Sequence, residues 1–260
     1  MAVDKSVEAR RKARQKQIRK RRAIRAFFVL LILAVITVAV LSVTVLFPVK
    51  SVNVSGSKIY TPTEIVKAGK ITQSTNLLIL SEDKLTEKIR TELPFVDSVK
   101  LEKKLPDSLT IKVTDATEKY CYNYGGKYYT VSSKSYVLKT YNELPEGMTE
   151  IRCGKITCVP GQKINIHDQN AKNTCDKIFV VFENNDIKID SVDTTDPLNI
   201  TMKIEGKFEV LLGGNAHMES KCKHLVAMIE KIEDDASGTI NLSMWTPDKK
   251  EGTFIRKNSQ

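Results

Sequence analysis

One uncharged stretch near the amino terminus constrains this chain more than any other feature. Residues 26–47, with the sequence AFFVLLILAVITVAVLSVTVLF, contain no charged side chain. At about 1.5 Å of rise per residue, a helix of this length covers roughly 33 Å, enough for a hydrocarbon core of about 30 Å. A cleaved signal peptide has an apolar core of only about 7–15 residues and a small-residue cleavage site. This run is longer and ends in Val-Leu-Phe-Pro, so we predict an uncleaved transmembrane signal anchor.

The positive charge of the chain is concentrated in front of this run. The 260 residues include 41 Lys and Arg and 31 Asp and Glu. Eleven of the basic and two of the acidic residues lie in 1–25, so residues 48–260 carry a net charge of only +1. The positive-inside rule therefore predicts a cytoplasmic tail and an extracytoplasmic folded part. Basic residues beside a span also attract anionic lipid headgroups. A nucleic-acid-binding fold would carry its positive charge on the folded part, so we predict no nucleic-acid partner.

Residues 48–115 have the pattern of a small α+β unit in the order strand, helix, helix, strand, strand. The alternating segment SVNVS at 51–55 predicts the first strand. The segment TPTE at 61–64 has the form of a capping box and starts a short helix. Two alternating segments, around 99–101 and 109–113, predict the last two strands. The second helix has an apolar stripe at helical spacing: Leu85, Ile89 and Leu93.

Three short motifs in this unit carry a resemblance to a known domain. They are PVKSVNVSG at 48–56, LPFVDSVKL at 93–101 and LPDSLTIKV at 105–113. Their order resembles a POTRA (polypeptide-transport-associated) domain. A single POTRA unit directly after a signal anchor with a basic tail resembles the FtsQ/DivIB family of bacterial cell-division proteins. The resemblance implies a tail at 1–25, an anchor at 26–47, a POTRA domain of βααββ order at 48–115 and an FtsQ-type β-domain at 116–256, followed by residues 257–260.

Residues 116–256 have the pattern of a mainly antiparallel β-domain with flanking helices. Seven of the eight tyrosines lie between residues 120 and 141, on either side of a Gly-Gly turn, which predicts a hairpin. These aromatic residues are either strand fillers or a platform for a ligand. Apolar residues at helical spacing predict helices after Asp168 and from Met218. The stretch 142–170 has the weakest pattern and is the least recognisable part of the family resemblance.

No constellation of side chains predicts an enzyme or a metal site. Cys222 and His224 with Cys175 are the best candidates for metal ligands, but residues two apart on a helix point in different directions. Paired carboxylates for glycan hydrolysis are conceivable at three aspartates, although the neighbouring Thr and Pro residues favour a turn. We therefore predict no catalytic residue, no cofactor and no metal. The aspartates are Asp190, Asp193 and Asp196, and the histidines are His167, His217 and His224.

The chain has five cysteines, so at least one is unpaired within a monomer. Cys153 and Cys158 are separated by a short segment that could form a small hairpin closed by a disulfide, a bond that an extracytoplasmic location permits. Reduced thiols in a reducing habitat explain the same residues equally well. Both alternatives stay open from the sequence.

The family resemblance implies a scaffold that acts through its surface rather than through a reaction. In this interpretation the chain is a single-pass protein of the bacterial cell membrane, located at the division septum. Partners similar to FtsB/DivIC and FtsL add an extended segment to an open sheet edge near the carboxyl terminus. The alternatives are a POTRA-type chaperone or transport accessory for exported polypeptides, an extracytoplasmic sensor, and a cell-wall enzyme. The predicted partner-binding residues are Trp245, Thr253, Phe254, Ile255 and Arg256, where Trp245 either anchors the partner or caps the core.

Overall fold

The structure is a computed structural model that describes residues 25, 27–38 and 47–257. Residues 27–38 are helical and expose their apolar side chains. In these described parts of the chain, no helix is both long enough and apolar enough to cross a membrane. Residues 26 and 39–46 of the predicted anchor lie outside the described residues, as do nearly all of the predicted cytoplasmic tail and the last three residues.

The chain divides into two compact units that alternate along the sequence. The first comprises Met1–Asn53, Ile71–Ser81 and Leu101–Ile111. The second comprises Val54–Lys70, Glu82–Lys100 and Lys112–Gln260. The domain boundary predicted between residues 115 and 116 stays a prediction.

The amino-terminal elements follow the predicted order strand, helix, helix, strand, strand. They form a three-stranded sheet in the order β1-β3-β2. Thr61 caps the first helix by accepting a hydrogen bond from the Glu64 N–H, and Glu64 reciprocates at the Thr61 N–H, as the capping box predicts. The elements are β1 (Ser51–Ser55), α1 (Pro62–Ala68), α2 (Glu82–Glu92), β2 (Val96–Lys104) and β3 (Ser108–Asp115).

The following residues build a nine-stranded sheet in the order β14-β13-β12-β11-β10-β7-β4-β5-β6, and β8 pairs separately with β9. Five neighbouring pairs of the large sheet are antiparallel and three are parallel, so the predicted mainly antiparallel sheet is confirmed. The strands are β4 (Tyr120–Tyr124), β5 (Lys127–Val131), β6 (Val137–Tyr141), β7 (Glu150–Arg152), β8 (Ile156–Thr157), β9 (Asn165–Ile166), β10 (Ile189–Asp193), β11 (Ile200–Ile204), β12 (Phe208–Gly213), β13 (Gly238–Asn241) and β14 (Thr253–Arg256). The helices are α3 (Gln169–Glu183) and α4 (Met218–Ile229).

The core of the large sheet lies on the face where α3 and α4 pack. Ile178 and Phe182 of α3 and Leu225 of α4 are at most 1% exposed and belong to one apolar cluster with inward residues of the strands. Alternate strand residues such as Lys203 and Glu209 are exposed instead, as expected for a sheet with one covered face and one polar face. The helices therefore cover one face of the sheet.

The two edges of the large sheet differ. At the β6 edge the Val137 N–H donates to the Gln162 carbonyl at 2.9 Å, and the Gly161 N–H donates to the Val137 carbonyl at 2.8 Å. Tyr136 also forms a bridge with Lys163. Segment 161–163 thus pairs with the start of this edge. At the other edge, β13 is the one strand among the described residues that pairs with β14.

Candidate partner-binding edge

The main-chain groups of β14 alternate between β13 and the open edge. β14 is antiparallel to β13, with Thr239 opposite Ile255 and Ile240 opposite Phe254. One residue beyond the strand, the Lys257 N–H donates to the Ser237 carbonyl at 2.8 Å. Because hydrogen-bonded and non-bonded pairs alternate in an antiparallel ladder, Ile255 bonds to β13 and Phe254 does not. The N–H and C=O groups of Phe254 and Arg256 therefore point to the open edge.

The side chains of β14 alternate between the two faces of the sheet. Phe254 is half-buried on the helix-covered face, and its ring lies edge-on to Phe208 with 6.1 Å between centroids. Arg256 forms ion pairs with Glu233 at 3.0 Å and with Asp235 at 3.4 Å. Thr253 and Ile255 belong to the other face, where Ile255 is 67% exposed. The predicted edge residues 253–256 thus form one edge strand, in which Phe254 is half-buried against the core and the other three side chains are exposed.

Glycine at two positions lets β14 approach its neighbours closely. A Cβ atom on Gly238 of β13 would lie 2.1 Å from the Ile255 carbonyl oxygen, which is impossible without displacing β14. A Cβ on Gly252, just before β14, would lie 2.7 Å from the sulfur of Met228. The absence of side chains at these positions seats the edge strand against β13 and α4.

Trp245 does not share the exposed surface of the edge strand. Its side chain is 5% exposed and belongs to the core cluster under α4. Its ring centroid lies 6.1 Å from that of His224, and its buried Nε1 has no hydrogen-bond partner among the described residues. The structure therefore places this side chain in the core position that the sequence left as one of two alternatives, and a role for Trp245 in partner binding stays a prediction.

All five cysteines are free thiols in this structure. Cys153 follows β7 and is 2% exposed, whereas Cys158 is half-buried after β8. Burial raises the pKa of each of these two thiols to about 12. Because β8 pairs with β9, the segment between the two cysteines does not fold back on itself as a hairpin. The disulfide between them stays a prediction.

The residues weighed for metal binding or catalysis are used in packing and turns. Cys222 lies on the inner face of α4 and is fully buried in the core. The Asp193 carboxylate accepts hydrogen bonds from the Thr195 N–H and hydroxyl, at 3.0 and 2.6 Å. Asp196 accepts one from the Leu198 N–H at 2.9 Å. Across the part of the chain that the structure describes, no group of three His, Cys, Asp or Glu residues is placed to hold a metal ion.

Two basic side chains, Lys221 and Arg90, are buried although the sequence analysis did not predict it. Lys221 is 3% exposed, and its Nζ donates to the carbonyls of Leu212 and Gly214, at 2.8 Å each. Burial lowers the pKa of this lysine. Arg90 of α2 is 6% exposed, and its guanidinium lies 3.8 Å from the ring centroid of Tyr136. Lys221 lies one turn before Leu225 on the apolar stripe of α4, and this position was the signal available in the sequence.

Arg90 also bonds to main-chain groups of β2, an edge strand of the small sheet. Its Nε donates to the Val96 carbonyl at 2.9 Å, and its Nη2 donates to the Asp97 carbonyl. The hydroxyl of Thr86, one turn earlier on α2, accepts a hydrogen bond from the Val99 N–H at 3.1 Å. Three main-chain groups in the first half of β2 are therefore already satisfied by side chains of α2.

Comparison with known proteins adds three relatives and one domain family. A family model described as "POTRA domain, FtsQ-type" matches residues 47–115. The cell-division protein DivIB of Clostridium acetobutylicum is 24% identical over 201 residues, which cover 76% of this chain and 80% of the relative. DivIB of Clostridium tetani is 24% identical over 207 residues, or 76% of each chain. The cell-division protein FtsQ of Streptomyces venezuelae is 29% identical over 105 residues, which are 40% of this chain and only 39% of the relative.

Proposed function

Because the chain belongs to the FtsQ/DivIB family of bacterial cell-division proteins, we propose that it is a non-enzymatic membrane scaffold of the division machinery. Residues 26–47 form its single span, residues 1–25 lie in the cytoplasm, and the folded part lies outside the membrane. The uncharged run of residues 26–47 and the eleven basic residues before it support this topology.

The scaffold binds its partner by strand addition at the open edge of β14. The observation that carries this proposal is the outward direction of the N–H and C=O groups of Phe254 and Arg256, in a strand for which the described part of the chain provides β13 as the one neighbour. An added strand satisfies these groups and extends the sheet by main-chain bonds. The partners are extended segments of division proteins similar to FtsB/DivIC, together with FtsL-like proteins.

Side chains beside the edge determine which partner segment fits. On the polar face, an added strand lies next to Ile255, whose exposed side chain is an apolar contact in an otherwise polar surface. On the other face, it lies next to the half-buried ring of Phe254. Arg256 is already engaged by Glu233 and Asp235, so it contributes its main chain rather than a free charge. The partner segment that fits this edge therefore has an apolar side chain beside Ile255 on one face and another beside Phe254 on the other face. It needs no acidic residue opposite Arg256.

The POTRA-type chaperone function is the weaker alternative. Such a function needs an open edge in the small sheet, whose two terminal strands are β1 and β2. The Val96 and Asp97 carbonyls and the Val99 N–H already bond to Arg90 and Thr86. A peptide could pair with this half of β2 only after these side chains had moved, whereas β14 needs no such rearrangement.

A matched pair of substitutions tests strand addition directly. Arg256→Pro removes the outward N–H, while proline is tolerated in an edge strand because the bonds of Ile255 to β13 remain. Arg256→Ala removes the same ion pairs and keeps the N–H, so it is the control. We expect a co-purified FtsB/DivIC-like partner to be lost with Arg256→Pro and retained with Arg256→Ala. Equal capture by both variants would remove the β14 edge from the binding site.

Imaging tests the division role separately. A fluorescent protein fused before Met1, on the proposed cytoplasmic side, should give a band at midcell in dividing cells. Uniform peripheral fluorescence from a functional fusion would contradict the division role, and a diffuse cytoplasmic signal would contradict the anchor.

A further inference from the structure

Two loops flank the segment where the chain leaves the proposed span. The Phe47 carbonyl accepts a hydrogen bond from the Leu77 N–H at 3.0 Å, and the Val49 N–H donates to the Thr75 carbonyl at 2.9 Å. The Ser51 N–H, two residues after Val49, donates to the Asp107 carbonyl at 3.2 Å. The loop at 77–80 and the β2–β3 turn at 104–107 are therefore held beside the first residues outside the membrane.

Both loops expose large apolar side chains. Leu77 is fully buried, but the next two residues face solvent, with Leu78 43% and Ile79 71% exposed. At the β2–β3 turn, Leu105 is 57% exposed. All three residues belong to the first compact unit. Several exposed aliphatic side chains at one end of a small unit indicate a contact surface rather than an ordinary exposed residue.

Lysines accompany these apolar residues. The Lys103 ammonium donates to the Leu80 carbonyl at 2.7 Å, so this cation holds the first loop in place. Lys104 is exposed directly before Leu105. The side chain of Lys50 is 70% exposed and lies 3.5 Å from the Asp107 carboxylate. Aliphatic side chains flanked by lysines are the combination that suits the boundary between acyl chains and anionic headgroups.

We propose that these two loops, 77–80 and 104–107, rest on the outer leaflet of an anionic bilayer. Leu78, Ile79 and Leu105 enter the headgroup layer, and Lys104 contacts lipid phosphates. Ile79 is two residues from Leu77, so its Cα lies within about 7 Å of the residue paired to the end of the span. That distance is similar to the thickness of the headgroup layer of one leaflet, roughly 5–8 Å. The inference rests on the proposed span at 26–47.

Lipid, rather than another protein, is favoured by continuity with the span. A surface joined by hydrogen bonds to Phe47, the last residue of the uncharged run, cannot leave the bilayer while the span is inserted. The bilayer is therefore present at this surface at all times, and contact requires no encounter with a second molecule. The contact would restrict the tilt of the first unit above the membrane.

Fluorescence quenching by lipid measures this contact in the full chain. The chain is reconstituted into vesicles of phosphatidylcholine and phosphatidylglycerol, with or without acyl chains brominated near the headgroup. Ile79→Trp places a reporter in the proposed contact, and Ile255→Trp places one at the exposed isoleucine of β14. The native Trp245 is the same background in both variants. We expect brominated lipid to reduce the added fluorescence of Ile79→Trp at least about twofold, as for an aromatic side chain in the interfacial region, and to leave that of Ile255→Trp unchanged.

The controls separate this inference from the proposed function. If neither variant is quenched although the chain resists alkaline extraction from the vesicles, the loops do not touch lipid and the span still holds. If alkali extracts the chain, the span itself is wrong and the lipid contact fails with it. If Leu78→Ser and Ile79→Ser together abolish partner capture while Ile79→Trp is not quenched, the surface binds protein and the lipid assignment is overturned.

Discussion

Buried thiols make the stability of this protein sensitive to alkaline pH. Four cysteines are at most 2% exposed, and their burial raises the pKa of each thiol: to about 12 for Cys121, Cys153 and Cys222 and to about 11 for Cys175. An unfolded thiol has a pKa near 8.5. Above that pH the unfolded chain releases protons that the folded chain keeps. The free energy of unfolding must therefore fall as pH rises through the unfolded pKa and continue falling toward the folded value.

The size of this effect follows from the four pKa differences. At pH 9.5 an unfolded thiol of pKa near 8.5 is about ten parts ionised to one part protonated, which favours unfolding by about 1.4 kcal/mol per buried thiol. Four thiols give about 6 kcal/mol, a large share of a typical total of about 5–15 kcal/mol. Lys221 acts in the opposite direction, because burial lowers its pKa and the unfolded state then binds more protons. Its contribution offsets part of the loss contributed by the thiols.

The assay is urea unfolding of the detergent-solubilised chain under reducing conditions at pH 7.5 and 9.5. Trp245 is the only tryptophan of the chain and is buried in the core of the large sheet, so its emission reports directly on that core. We expect a much lower urea midpoint at pH 9.5. The variant Cys175→Ala with Cys222→Ala loses two of the four buried thiols and should show about half the pH-dependent shift, whatever its stability at pH 7.5.

Two results would refute this reasoning. One is an equal midpoint at both pH values for the native chain. The other is a full-sized shift in the double variant, which would assign the pH dependence to groups other than these thiols.

Two further substitutions test contacts described above. Arg90→Met leaves the Val96 and Asp97 carbonyls without their donor and removes the contact with Tyr136. We therefore expect chemical denaturation to show a loss of about 3 kcal/mol in the free energy of unfolding. A loss below about 1 kcal/mol, the value of one ordinary hydrogen bond, would show that water replaces the guanidinium. Gly238→Ala puts a Cβ atom 2.1 Å from the Ile255 carbonyl oxygen. We therefore expect fast hydrogen exchange at the Ile255 amide and loss of partner capture, while hydrogen exchange in β11 stays slow. Unchanged protection of the Ile255 amide would mean that the two strands accommodate the added methyl group.

Local sequence signals predicted the elements that have strong periodicity or specific end residues. The capping box at Thr61 and Glu64 is formed as predicted. The tyrosine-rich hairpin is also confirmed, with both Gly125 and Gly126 at positive φ between β4 and β5. In each case the signal lies within a few residues and reflects hydrogen bonds or dihedral angles that the sequence specifies locally.

Features that depend on distant residues were not predictable in the same way. The strands β8 and β9 are two residues long, too short to show a period of two. The parallel placement of β7 between β4 and β10 depends on long-range packing. Trp245 illustrates the limit for the candidate site, because its position near the predicted edge could not distinguish an exposed anchor from a side chain covered by α4. The strand at residues 253–256 was predictable from its local pattern.

The difference between the two edges of the large sheet bears on self-assembly. A sheet with two free edges can polymerise head to tail, since the last strand of one copy can pair with the first strand of the next and the series never closes. Here the Val137 N–H and C=O at the start of β6 are already bonded to residues 161–162 of the same chain. A β14 strand from a second copy finds no free groups at that position. The pairing of the start of β6 with its own chain therefore disfavours head-to-tail growth of copies through that part of the edge.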